Sequence, residues 1–93
     1  MERDQKKRDE LERRLRIIEN DMKFILSKRE GRRFLWHLMS NAGVFQTSFS
    51  VTAEQTAFKE GRRDVGLWIL NRALRDQNGY LMMVKESEKY DIE

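Results

Sequence analysis

At 93 residues the chain has material for one small domain and excludes a second, since a chain this short buries only roughly 60–65% of its unfolded surface. Cysteine and proline are absent and glycine numbers only 5, which excludes a disulfide framework, thiolate metal sites and turn-dense all-β or linker-rich classes. The formal charge of +3 weighs only lightly toward nucleic acid, no run approaches the ~18 apolar residues of a membrane span, and Met1-Glu2-Arg3-Asp4 is too polar to open a signal peptide.

With 39% hydrophobic against 38% charged residues, the expectation is an all-α chain, soluble and made in the cytoplasm, with a modest core. A first helix is expected over about residues 3 to 27. Acids there precede bases by four residues in Glu2–Lys6, Asp4–Arg8, Asp9–Arg13, Glu10–Arg14, Glu12–Arg16 and Glu19–Lys23, each pair supporting a helix by about 0.2–0.5 kcal/mol. Leu11, Leu15, Ile18, Met22 and Ile25 step by four, three, four and three, which is heptad stepping, and Ile17 and Phe24 widen the second half of the stripe. Such a helix is roughly 37 Å long at ~1.5 Å per residue, more than so small a domain needs to cover. The seam is therefore a candidate partner-binding face, with packing on its own domain as the equal alternative. Residues 1–27 are set apart as a projecting helix and 28–93 as a compact helical domain.

Ser27-Lys28-Arg29-Glu30 has capping-box spacing and marks a new helix or a kink. The second helix runs to about Asn41, where Gly43 can supply the left-handed residue that ends a helix. Val44 to Val51 lacks helical periodicity and, with no second strand candidate, reads as an extended loop whose Phe45 and Phe49 plug into the core. Thr52-Ala53-Glu54-Gln55 opens a third helix to about Asp76. Asn78-Gly79 then punctuates, and a shorter fourth helix starts at Tyr80. The architecture expected is a long amino-terminal amphipathic helix followed by a compact three-helix bundle with an extended aromatic loop.

Arg29-Glu30-Gly31-Arg32-Arg33 and Lys59-Glu60-Gly61-Arg62-Arg63 are one pentad of residue classes, 30 positions apart, each expected early in a helix. Glycine inside a helix costs about 1 kcal/mol against alanine, so Gly31, Gly61 and Gly66 ask for a reason, and the two pentad helices are expected to cross near them. Arg32, Arg33, Arg62 and Arg63 are candidates for anion or carboxylate contacts, because guanidinium pairs match those planar groups. A solvated face paired locally through Glu30 and Glu60 is the stronger competing reading. Trp36, Trp68, Met82 and Met83 are expected in the core. His37 has no orienting carboxylate within a helical turn, and no metal-ligand spacing or phosphate-binding glycine loop occurs, so neither catalysis nor a cofactor is expected.

The segments Arg29 to Trp36, Gly43-Val44-Phe45, Ser48-Phe49 and Ala57 to Leu67 resemble a family of small virion-associated proteins of tailed bacteriophages, mainly short-tailed ones. The likeness covers about residues 29 to 85 and rests on two EGRR segments bracketing the Gly-Val-Phe and Ser-Phe stretch, with Asp64 where asparagine is more usual. The resemblance implies a virion component without known enzymatic activity, made in the host cytoplasm and carried in the particle. Fitting roles are a protein of the portal, the internal core or the ejection apparatus, with other virion proteins in multiple symmetric copies as partners. The alternative is a small nucleic-acid-binding or regulatory protein using the basic helix and Arg pairs on phosphates. Six acids sit one turn before a base, so weak, salt-labile, non-specific DNA contact is the most expected of it.

Overall fold

The computed structural model describes residues 2–46 and 52–90. They form four helices, α1 (Glu2–Leu26), α2 (Arg29–Asn41), α3 (Ala53–Ala73) and α4 (Gln77–Tyr90), and no strand occurs among the described residues. The all-α class and the long first helix are as expected from the sequence.

Local chemistry sets each boundary. The Ser27 hydroxyl donates to the Phe24 carbonyl at 2.6 Å, closing α1 instead of capping α2. The expected capping box is thus not made, and the residue before α2 is Lys28, extended and without a side-chain cap. At the far end of α2, Gly43 takes φ +78°. Its N–H donates to Ser40 and that of Val44 to Met39, the paired bonds of a left-handed helix terminus. That turn drives Val44 into the core beside Met39 and leaves Phe45 exposed on the Trp36 ring, 4.8 Å between centroids. Val44, not Phe45, is therefore the plug; Phe49 lies outside the described residues. Thr52 caps α3 as expected, accepting from the Gln55 N–H at 3.1 Å.

The α3–α4 connection departs from the sequence reading. α3 ends at Ala73 and α4 begins at Gln77, because Asp76 acts as a cap and accepts from the Gly79 N–H at 3.2 Å. Asn78-Gly79 is consequently the first turn of α4 and not a break. A Cβ on Gly79 would lie 2.8 Å from that of Leu26, so the glycine lets α4 start directly against the end of α1.

Contacts between α2 and α4 advance together along both helices, Arg32 with Glu86 and then Trp36 with Tyr90, so the two run parallel. Between them and the α1 end lies the core, built on Leu26, Leu35, Met39, Ala73, Met83 and Tyr90. The whole measures 50 × 36 × 16 Å. Every pair of the four helices is in contact, yet with a short dimension of only 16 Å each helix keeps an exposed side. Two sequence expectations fail for this reason: Trp68 and Met82 are exposed, whereas Met83, one residue on, is fully buried.

Candidate functional site

The α1 stripe changes character along its length. Leu11 is exposed, Leu15 and Ile18 are half-buried, and Met22 is in the core. One turn later the inward residue is Leu26, 1% exposed, and Ile25 is 38% exposed. A straight helix advances 3.6 residues per turn, so a heptad stripe drifts off the contact line and the next residue takes its place. Residues 2–14 of α1 are all exposed. Of the expected ion pairs, Glu10–Arg14 closes at 2.6 Å, whereas Glu19 reaches Arg75 beyond α3 and ties the α3–α4 turn to α1.

The four arginines are placed very differently. Arg32 is buried and fixes three helices at once. Its Nη1 donates to the Leu26 carbonyl at 2.8 Å, while Nε and Nη2 donate to the Glu86 carboxylate at 2.5 and 3.2 Å. The Tyr90 hydroxyl donates to the same carboxylate at 3.3 Å. Hydrogen bonding from Arg32 holds the Glu86 carboxyl below its ordinary range, against the opposing effect of burial, and the bond to Glu86 likewise raises Arg32. Burial first, then the Glu86 charge, pushes the Tyr90 hydroxyl upward. Arg33 is half-buried. Arg62 is exposed and lies over the Phe58 ring, 5.6 Å from its centroid. Arg63 is half-buried, with its Nε unpartnered among the described residues.

Nothing in the sequence flags Glu86 or Tyr90, because a contact 54 residues apart leaves no local spacing signal. The glycines divide in the same way as the arginines. A Cβ on Gly31 would stand 2.0 Å from the Ile25 carbonyl oxygen, so α1 and α2 meet as closely there as backbones allow. Nothing among the described residues lies within 4 Å of a Cβ on Gly61. The expected meeting of the two pentad helices is thus made neither at Gly31, which faces α1, nor, among the described residues, at Gly61. It is made at Gly66, the third of those glycines, against Ala42 and Val44 at the end of α2.

Among the exposed residues of α3 several are large and apolar. Phe58 and Val65 on α3 are 69% and 61% exposed, and Trp68 is 49% exposed beneath the Arg72 guanidinium, 4.2 Å from the ring centroid. Beside them an apolar groove of about 290 Å³ runs between Leu38 and Asn41 of α2 and Arg62 and Val65 of α3. Among the described residues no cluster of side chains suits a metal ion, and no helix is long and apolar enough to cross a membrane.

The sequence model of a family described as Bbp19-like phage protein matches residues 22–85. The match opens at Met22, the first core residue of α1, and leaves the exposed half of that helix outside it. No curated protein and no solved structure matches the chain.

Proposed function

The chain belongs to the Bbp19-like phage protein family, and from that premise we propose that it is a non-enzymatic structural protein of the virion, held at the portal, internal core or ejection apparatus by helix packing. The observation that carries this reading is the exposed apolar side chains on every helix, including Leu11 and Ile17 on α1, Phe34 on α2, Phe58 on α3 and Leu81 on α4. A protein placed among neighbours in a particle covers such surface by assembly. The exposed half of α1, with Leu11 and the half-buried Leu15 and Ile18 behind it, is the arm offered to another virion protein.

The test is composition of purified particles. Wild-type protein is expected to co-sediment with them, and Leu11→Glu with Leu15→Glu to leave them while keeping the helical circular-dichroism spectrum. Absence of the wild-type chain from particles overturns the reading. So does duplex DNA binding at about 10⁻⁸ M or tighter in ~150 mM salt, the range of specific readers.

A further inference from the structure

We propose that the outward face of α3 is a self-association seam that binds a second copy of this chain in antiparallel orientation. Glu54, Phe58, Gly61, Val65, Trp68 and Arg72 step by four, three, four, three and four along α3, which holds them on one stripe over about five turns. This is a heptad pattern on the side of the helix that the core does not use. Its first five members are exposed and Arg72 is half-buried over Trp68.

The order of residues selects the partner and its direction. With two copies antiparallel about residue 63, Glu54 faces the partner's Arg72, Phe58 faces the partner's Trp68, and Gly61 faces the partner's Val65. Each contact recurs by two-fold symmetry. Charges of opposite sign close both ends, aromatic meets aromatic, and the position without a side chain receives a branched one. A parallel pair instead sets Glu54 on Glu54 and Arg72 on Arg72, two like-charge contacts. The same arrangement gives Gly61 a purpose. It carries the helix-interior cost of glycine, about 1 kcal/mol, with nothing among the described residues within 4 Å of where its Cβ would stand.

Flanking residues temper the affinity. Arg62 and Asp64 lie on opposite edges of the stripe, and near the two-fold each meets its own copy, so association is weak and Asp64→Asn tightens it. The apolar groove at Leu38 and Val65 extends the contact surface along the Arg62 edge. The seam stands on α3 alone and does not depend on the virion reading.

Sedimentation equilibrium of the full chain over a range of concentrations tests the proposal. The wild type is expected to approach twice its 11.3 kDa mass, and Val65→Glu, at an exposed position, to remain monomeric and to melt as the wild type does at concentrations where both are monomers. Glu54→Arg is expected to weaken association several-fold, and adding Arg72→Glu to restore it. A wild-type monomer throughout overturns the proposal, as does a dimer indifferent to Val65→Glu or one dissolved only by changes to α1. Failure of the charge swap to restore association overturns the antiparallel pairing.

Discussion

Arg29–Arg33 and Lys59–Arg63 carry nearly the same five residues and do opposite things. In the first, Gly31 is pressed against the backbone of Ile25 and Arg32 is buried between three helices. In the second, Gly61 is exposed with no described residue within 4 Å of its Cβ position, and Arg62 lies on the surface against its own helix. The cause is position within the helix. The first pentad opens α2 only two residues after α1 ends, so the chain reversal brings α1 onto it. The second begins at the seventh residue of α3, away from either end, on a helix whose core face carries Gly66 and Ala73. Sequence likeness therefore fixed the chemistry of the side chains but not their surroundings.

The largest effect separating the two is expected at the fourth position of the pentad, the first of each arginine pair. Arg32→Ala strands the Glu86 carboxylate and should cost about 3 kcal/mol in urea unfolding, the lower end for breaking a buried pair. Next comes the glycine: Gly31→Ala forces the α1–α2 corner apart and should cost about 1–3 kcal/mol. Acid provides a third test. The Glu86 carboxyl is depressed in the folded state, so its contribution is complete above the ordinary glutamate range and is lost as pH falls through the folded value. Stability should drop accordingly below about pH 4, and Glu86→Gln should flatten that slope while lowering stability at neutral pH. In the other pentad the signs change. Gly61→Ala should stabilise the dilute, monomeric chain by about 1 kcal/mol in a thermal melt. Arg62→Ala should move it by no more than about 0.5 kcal/mol.

Much of the fold was legible because it is written locally. The Gly43 terminus, the Thr52 cap and the Glu10–Arg14 pair each depend on residues within a turn or two of one another. Asn78-Gly79 misled because the glycine serves a close approach to Leu26 within a helix, and the same residue type commonly ends one. Trp68 and Met82 misled because apolar residues at helical spacing report a contact face without saying whose. The Arg32–Glu86–Tyr90 cluster was illegible, since its members meet only once α2 and α4 are laid side by side. On α1 the heptad count led to Ile25, and the true helical pitch delivered Leu26 to the core.

The central claim is that one pentad closes the fold and its echo is left for the outside. Equilibrium urea unfolding of Gly31→Ala and Gly61→Ala, side by side and at a concentration that keeps the chain monomeric, tests it most directly. The first variant is predicted to unfold at lower urea than the parent and the second at higher. Midpoints that move in the same direction would contradict it.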